Sequence, residues 1–552
     1  MSRLPLRRFI MSSLSFTQRY LLALLSLIGI ALLGAYMLGL PPFLREGGAF
    51  APALARPDAL IRTYSLAKLP RDLLRIPLAR EVLTEEFAAY CEWHENRLAL
   101  TGTVRRIAYE HGSNLSGNLV EASLEEPAEV ALWAGADGRL RYFVVAMSDS
   151  TLARAVQVTL PVILKHPDSQ LSRMGKLDGT DVDIVALEYG PDRHLLVLAK
   201  GTRVVMLSHP EMLFVGDDRD GNAPRRQSKS AVELLRELLR VRMVSVFSHH
   251  FLREEPLPEK HHEIILGTRA FAFGYETFVP GLEAVALTFD DEGAWRSAAL
   301  FDGPPPEGRA LWPVLPQKAG LCAILPVDWT RMAQLMHRFN ARLEQPAVPP
   351  WFIDQFVGPA AVCWYREARP HAPLIAVRLK TTADDKRARE FFALADAVLG
   401  VDRSETVIDS EHGLAMWRGK WAPRDGERLP DPALSIVRDT VFFSPDAALV
   451  ERAREVVAGR HPAIADHFGN AGADKVAFVD PGALAAIVRA ETAAVLPGGQ
   501  DEAFRAAARA YLAPRLKALA RYPAQGIAWA EVPAPARRAW WPLAWETRAA
   551  GR

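Results

Sequence analysis

Cysteine is scarce in this chain: its 552 residues include only Cys91, Cys322 and Cys363. No two of them stand in a CxxC or comparable spacing, which excludes zinc ribbons and thioredoxin-type redox chemistry. Cys322 and Cys363 lie in apolar, strand-like runs. They are therefore either cross-strand disulfide partners in an oxidising compartment or buried free thiols, and the sequence favours free thiols.

An excess of charge is also missing. Lys and Arg number 66 against 65 Asp and Glu, a formal net charge of +1. Without a global field of one sign, nucleic acid is not an expected partner. Hydrophobic residues at 49% and charged residues at 24% are ordinary for a globular protein, and the length predicts at least two cores.

The familiar catalytic motifs are absent: the sequence has no HExxH, no GxSxG, no P-loop and no dinucleotide fingerprint. The nearest match is Ser65-Leu-Ala-Lys68, the Ser-x-x-Lys pattern of penicillin-recognising enzymes. Its companion elements are imperfect, at Ser148–Ser150 and Lys380–Thr382. Because Ser65 ends a strand-like run and does not open a helix, the sequence predicts that Ser65 and Lys68 are solvated residues and that no catalytic residue is present.

Four histidines, His249, His250, His261 and His262, flank a charged loop and raise the question of a zinc site. Neighbouring residues on a strand point to opposite faces, so only one of each pair can reach a shared metal. Two ligands make a poor site. The histidines are therefore predicted to belong to a polar surface turn.

Two acidic runs resemble ligand loops. Asp217–Asn222 resembles the start of a calcium loop, but the twelfth position counted from its second residue is Lys229 where glutamate is required. It is interpreted as an exposed turn, and Asp290–Glu292 as the tip of a hairpin. The sequence thus predicts no bound metal and no cofactor.

Residues 20–40 run for 21 positions without a charge, and as a helix they reach roughly 30 Å, one hydrocarbon core. Arginines precede this run, so the positive-inside rule makes residues 1–19 a cytoplasmic tail. Residues 41–57 are interpreted as a tether, and everything beyond as periplasmic. A cleavable signal peptide ending near Ala53–Ala55 is the competing interpretation.

The remainder of the chain resembles itself. Leu69–Asp72 is similar in sequence to Leu325–Asp328, which pairs Asp72 with Asp328. A second match pairs Trp133 with Trp364. Further matches follow in the same order. They predict two copies of one domain.

The predicted fold class is α+β: one N-terminal transmembrane helix followed by two tandem, duplicated domains of antiparallel sheet plus helix. Repeat 1 covers residues 58–302, a Gly/Pro-rich linker covers 303–318, and repeat 2 covers 319–548. Within repeat 2, Asp384 is predicted to cap a helix that ends before Gly400.

Several segments resemble an uncharacterised, YfaA-like family of bacterial envelope proteins: Pro57–Ile61, Leu69–Leu74, Leu83–Phe87, Phe273–Tyr275 and Pro280–Leu282. The resemblance implies that the chain accompanies a bacterial alpha-2-macroglobulin, a periplasmic protease-trapping protein, as its inner-membrane-anchored partner. It names no active-site residue.

Three functions remain open. The first is a non-enzymatic, inner-membrane-anchored periplasmic scaffold or binding subunit, with an alpha-2-macroglobulin-like protein and other membrane-anchored products of the same gene neighbourhood as partners, and with contact to the bilayer through residues 20–40. The second is a cell-wall-active serine hydrolase using Ser65 and Lys68. The third is a small-ligand-binding module with a pocket between the copies.

Overall fold

The structure, a computed structural model, describes the greater part of the chain after residue 53. The described residues are 54, 56–66, 68–76, 125–134, 140–148, 171–190, 193–215, 226–240, 246–268, 275–304, 311–340, 349–370, 372–399, 401–409, 414–420, 431–468, 475–495, 508–530 and 537–547. The predicted tail at 1–19, transmembrane helix at 20–40, Cys91 and Asp217–Asn222 lie outside them. In the ranges just given, no helix has the length and apolarity needed to cross a membrane.

Contacts divide the chain into two compact units. Unit 1 takes residues 1–273 and 283–300, and unit 2 takes residues 274–282 and 301–552. The strands of unit 1 are β1 (Ala59–Thr63), β2 (Ala128–Ala134), β3 (Leu140–Ser148), β4 (Leu171–Lys176), β5 (Asp183–Gly190), β6 (Arg193–Lys200), β7 (Arg203–Leu207), β8 (Phe214–Val215), β9 (Arg226–Gln227), β10 (His261–Gly267), β11 (Leu282–Asp290) and β12 (Trp295–Asp302). Its helices are α1 (Leu69–Leu73) and α2 (Lys229–Arg240), with 3-10 turns at Pro210–Met212 and Ser248–Phe251.

One antiparallel sheet organises unit 1, in the order β11, β10, β1, β2, β3, β7, β6, β5, β4. Strand β1 lies between β10 and β2, and all five of its residues are buried. A strand covered on both faces reads as a continuous apolar run, and Ala-Leu-Ile fits that rule. Leu69 and Leu73 of α1 pack on one face against Ile61. Helix α2 buries its apolar stripe, which includes Leu235 and Leu238, as expected of an amphipathic helix.

Unit 2 also contains one large antiparallel sheet. Its strands are β13 (Ala319–Leu325), β14 (Phe356–Tyr365), β15 (Leu374–Leu379), β16 (Arg403–Asp409), β17 (Leu414–Lys420), β18 (Ala433–Val437), β19 (Thr440–Ser444), β20 (Lys475–Val479), β21 (Gln525–Trp529) and β22 (Arg538–Thr547). They pair in the order β22, β21, β20, β13, β14, β15, β19, β18, β17, β16.

Among the residues that the structure describes, seven helices accompany this second sheet: α3 (Tyr275–Phe278), α4 (Trp329–Asn340), α5 (Pro350–Ile353), α6 (Asp385–Leu399), α7 (Ala447–Val457), α8 (Pro481–Val495) and α9 (Ala513–Leu519). Short 3-10 turns lie at Trp312–Val314 and Ile464–His467, and a π-helical turn at Ala508–Leu512. The core contains large, fully buried side chains, among them Phe391, Trp417 and Phe442. Their burial on both faces of the sheet gives the unit a core of its own.

The predicted fold class is wrong. The described residues are mostly antiparallel sheet with few helices, and two duplicated domains in tandem are not evident, because the chain enters unit 2 at residue 274, returns to unit 1 at 283 and leaves again at 301. Asp72 and Asp328, which the repeat paired, also have different structural roles. Asp72 lies buried inside α1, whereas Asp328 precedes α4 and accepts hydrogen bonds from the N–H groups of Thr330 and Arg331, both at 3.0 Å. No transmembrane helix is among the described helices.

Two local predictions are confirmed. Helix α6 ends at Leu399, and Asp384 caps its start by accepting a 2.8 Å hydrogen bond from the Arg387 N–H. Asp290 closes the turn between β11 and β12, where its Oδ1 accepts from the N–H groups of Glu292 and Ala294. The cap and the turn each depend on a few neighbouring residues, so both can be predicted from the sequence alone.

Cys322 and Cys363 face each other across β13 and β14 and are joined in a disulfide. Both residues are fully buried. The interpretation of them as free thiols is therefore wrong.

Candidate functional site

Strand β1 ends in polar residues that point alternately to the two faces of the unit 1 sheet. Register places Thr63 between His262 of β10 and Ala128 of β2, and Arg62 between Glu263 and Glu129. Neighbouring strand residues face opposite sides of a sheet. One face therefore carries a cluster around His262, called here the histidine cluster, and the other face carries a row of charged side chains.

His262 is the centre of the histidine cluster and is fully buried. Its Nε2 lies 3.1 Å from Asp72 Oδ2 and its Nδ1 lies 2.7 Å from Thr63 Oγ1. Tyr64 donates its hydroxyl to the same Asp72 oxygen at 2.8 Å. Helix α1 supplies the carboxylate, so these contacts connect α1 to β1 and β10.

Burial lowers the pKa of His262 to about 4, against the opposing effect of the Asp72 carboxylate. The ring is therefore neutral near pH 7. A carboxylate only accepts hydrogen bonds, so we assign the single ring proton to Nε2 and the Thr63 hydroxyl as donor to Nδ1. When the ring is protonated, Nδ1 must also donate, and the Thr63 hydroxyl has an alternative acceptor in the Ser65 carbonyl at 2.8 Å.

The Asp72 carboxylate is fully buried and accepts from several groups. Besides His262 and Tyr64, the Arg71 guanidinium lies 3.0 Å from Oδ1 and that of Arg75 lies 3.8 Å away. Burial, followed by the bond to Asp72, raises the pKa of the Tyr64 phenol well above its usual range. Every member of the cluster thus has a partner within the cluster.

On the other face, charges alternate along a row of five side chains: Arg253, Glu263, Arg62, Glu129 and Arg203. Arg62 lies 2.9 Å from Glu263 and 3.9 Å from Glu129, and Arg253 lies 3.0 Å from Glu263. Arg62, Glu263 and Glu129 are all at least nine-tenths buried. Burial lowers the pKa of Arg203, while the charge of Glu129 opposes that shift. A buried row of this kind is maintained by its internal pairing.

A cavity of about 450 Å³ lies at this end of the sheet. Its polar part includes Arg62, Glu129 and Arg203. Its apolar part includes Leu238 of α2, and the loop residues Pro256–Lys260 line a further part of it. The volume falls in the range of small-molecule sites.

Ser65 is not the solvated strand-end residue that the sequence predicted. It is fully buried, and its Oγ accepts from the Lys68 N–H at 3.2 Å in the turn that precedes α1. The Lys68 ammonium lies 5.4 Å from the centre of the Tyr64 ring. Helix α1 begins at Leu69, four residues after Ser65.

The four histidines do not form one surface turn. His262 belongs to the buried cluster, and the rings of His249 and His250 contact each other at 3.8 Å between centroids. Within the residues that the structure describes, no group of three or more His, Cys, Asp or Glu side chains is placed to hold a metal ion.

Sequence reasoning missed Asp72, Thr63 and the charged row. One signal was available: Arg62 stands at the end of the apolar run Ala59–Ile61, and a charge in a buried strand demands a partner. The sequence does not indicate which residues are the partners of Arg62, because Glu263 lies 201 positions away in the chain.

Fold and site together define a class: a protein of antiparallel sheets with a cavity beside a buried, charge-paired row. The chain belongs to the bacterial family described as "Uncharacterized protein conserved in bacteria (DUF2138)", which matches residues 36–421 and 426–545. It is similar to the "Uncharacterized protein YfaA" of Escherichia coli (strain K12), with 26% identity over 533 residues, 89% of this chain and 90% of that protein.

A solved structure, "Structure of crystal form I of TP0453", gives a match at 10% identity that covers 74% of this chain and 95% of the other. The TM-score is 0.19, so the match carries no argument about fold or function.

Proposed function

We propose that this chain is a non-enzymatic binding subunit of the bacterial envelope. In this proposal, residues 20–40 anchor it in the inner membrane with the N-terminus in the cytoplasm, and most of the chain is periplasmic. Its partners are an alpha-2-macroglobulin-like protein and other membrane-anchored products of the same gene neighbourhood.

The observation that carries the non-enzymatic role is the burial of Ser65. The hydroxyl of the strongest candidate nucleophile is fully enclosed and accepts a hydrogen bond from the Lys68 N–H. A serine nucleophile needs access to substrate and a base within hydrogen-bonding distance of its hydroxyl. The Lys68 ammonium instead lies over the Tyr64 ring. The serine hydrolase alternative therefore has little support.

The envelope location is supported by two features. Residues 20–40 have the length and apolarity of a spanning helix with arginines before it. The disulfide between Cys322 and Cys363 is of a kind that persists in oxidising compartments such as the periplasm. The choice of partner rests on the family resemblance in the sequence.

Substitution of Ser65 tests the non-enzymatic role. We expect neither a fluorescent β-lactam nor a fluorophosphonate probe to label the purified wild-type protein. We also expect Ser65→Ala to lower the free energy of unfolding by about 1 kcal/mol, the usual net contribution of one hydrogen bond, as measured by urea denaturation. Ser172→Ala, at an exposed position on β4, is the control and should change stability by less than about 0.5 kcal/mol.

Covalent labelling that Ser65→Ala abolishes would refute the proposal and restore the hydrolase. Labelling of both the wild-type protein and Ser65→Ala would identify another nucleophile and would also refute the proposed non-enzymatic role.

A small-ligand-binding function is the second candidate, and the cavity of unit 1 favours it. A binding subunit and a ligand-binding module are compatible, because the cavity lies at one end of the unit 1 sheet.

A further inference from the structure

We propose that one face of strands β16 and β17 in unit 2 docks an acidic, extended segment of a partner protein, with a carboxylate at Arg454 and an apolar side chain on Val407. The inference rests on the proposed role as a binding subunit and adds a surface and the chemistry of the partner. This surface, called here the β16 face, is bordered by α7 and consists of Arg403, Glu405 and Val407 of β16 with Met416, Arg418 and Lys420 of β17.

The packing of unit 2 leaves the β16 face open. Val407 lies opposite Met416, and residues directly opposite each other in an antiparallel pair share a face of the sheet. Helix α6 covers the other face, where it packs against Trp417, and α7 packs mainly over β18 and β19. Val407 is consequently 60% exposed, more than any other large hydrophobic side chain in the described part of the chain.

Strand β16 also ends the sheet. Among the described strands its one neighbour is β17, and the five residues from Arg403 to Val407 are all exposed. The outer side of such a strand presents backbone N–H and C=O groups with which a further strand can pair. An extended polypeptide supplies the matching groups, whereas a lipid surface does not. This favours a protein segment as the occupant.

Arg454 of α7 selects an acidic segment. Its guanidinium is partly buried and donates to the Met416 sulfur at 2.9 Å, which is a weak acceptor. Its Nε is buried and has no hydrogen-bond partner. Among the described residues, no carboxylate forms an ion pair with it. A charged group in this state is stabilised by a carboxylate that accepts its hydrogen bonds.

The carboxylates beside Arg454 are already engaged. Glu451 pairs with Arg418, and Glu455 pairs with Arg460 at 2.5 Å. Burial, the largest effect, lowers the pKa of the Arg454 guanidinium, and the charge of Glu455 opposes the shift. The cations Arg460 and Arg418 add to it. An incoming carboxylate counters both the burial and the two neighbouring cations.

The rest of the β16 face adds a second cation. Lys420 pairs with Glu405 at 2.5 Å, whereas Arg403 forms no ion pair within the part of the chain that the structure describes. Asp409, at the far end of the strand, has an interaction of its own. A partner therefore meets two guanidiniums, those of Arg403 and Arg454, on either side of an apolar contact.

Fluorescence anisotropy of labelled peptides, with the full-length protein in mild detergent, tests the inference. The probes are the acidic peptide Leu-Glu-Val-Glu-Leu-Glu, a neutral peptide with glutamine in place of glutamate, and a basic peptide with lysine there. We expect the acidic peptide to bind at least about tenfold more tightly than the neutral one, and the basic peptide to bind most weakly. Added salt should weaken binding of the acidic peptide and leave the neutral one nearly unchanged.

Four variants locate the site. Arg454→Gln should weaken binding of the acidic peptide about ten- to a hundredfold and leave the neutral one unchanged. Arg454→Glu should reverse the preference, so that the basic peptide binds more tightly than the acidic one. Val407→Ser should weaken both the acidic and the neutral peptide by about threefold. The exposed Arg226→Gln, in unit 1, is the control and should change neither.

Circular dichroism establishes that each variant is folded, and the comparison of peptides uses the wild-type protein, so the test holds even if a variant does not fold. Equal affinity for acidic and neutral peptides, tighter binding of the basic peptide, or no binding of the acidic peptide overturns the inference. Displacement of the acidic peptide by soluble dihexanoyl phosphatidylglycerol, but not by unlabelled acidic peptide, would assign the face to lipid and also overturn it. Failure of the proposed function would appear instead as the absence of any crosslinked partner in cells, so the two failures are distinguishable.

Discussion

Replacing Arg62 with methionine should lower the free energy of unfolding by about 3–5 kcal/mol. The substitution removes the central cation of the buried row. Glu263 and Glu129 then remain at least nine-tenths buried without the cation that lay between them. A buried charge whose partner has been removed costs far more than the pair contributed when intact. Urea denaturation monitored by tryptophan fluorescence measures the loss.

Arg173→Met is the matched control for this prediction. Arg173 forms an ion pair with Asp183 on the same sheet, but half of its side chain is exposed. Surface ion pairs contribute about 0–1 kcal/mol, so the control should lose little. Equal losses in the two variants would contradict the description of the row as a buried, interdependent set of charges.

Acidification should destabilise unit 1 through His262, and the effect should disappear in His262→Gln. Burial places the pKa of His262 at about 4 in the folded protein, below the ordinary value of 6.5. Between these values the unfolded chain binds a proton that the folded chain does not. Stability is therefore unaffected above pH 6.5, falls as the pH drops, and levels off below pH 4, with a total loss of about 3 kcal/mol.

Glutamine is the suitable replacement because its amide can donate to Asp72 and accept from Thr63 without titrating. The difference in free energy of unfolding between wild type and variant, measured from pH 7.5 to 4, cancels the carboxylates that the two proteins share. A difference that stays constant with pH would show that the His262 pKa is not lowered. A difference that grows in favour of wild type on acidification would mean that it is raised.

Features carried by neighbouring residues were predictable from the sequence. The cap of α6 by Asp384 and the turn at Asp290 each need only a few consecutive positions. The overall architecture was not predictable in the same way, because short matches such as Leu69–Asp72 with Leu325–Asp328 record similar local sequences. They do not report whether an aspartate lies inside a helix or before it.

The site depends on register, and register joins positions far apart in the chain. Arg62 meets Glu263 and Thr63 meets His262 only because β1 and β10 are neighbours. Nothing in the spacing of these residues indicates the pairing. Ser65 lies in the short turn between β1 and the five-residue α1, and nothing in the local sequence indicates that this turn is buried.

The central claim, that this chain acts by binding partners at the inner membrane, is tested most directly by crosslinking in living cells. The tagged full-length protein would be purified from membranes in mild detergent and its partners identified by mass spectrometry. A variant that lacks residues 20–40 and carries an export signal, so that it still reaches the periplasm, serves as the control. The account predicts that an alpha-2-macroglobulin-like protein is recovered with the full-length chain and that its retention at the membrane weakens in the variant. Recovery of the chain alone, in repeated experiments on cells that express the macroglobulin, would contradict it.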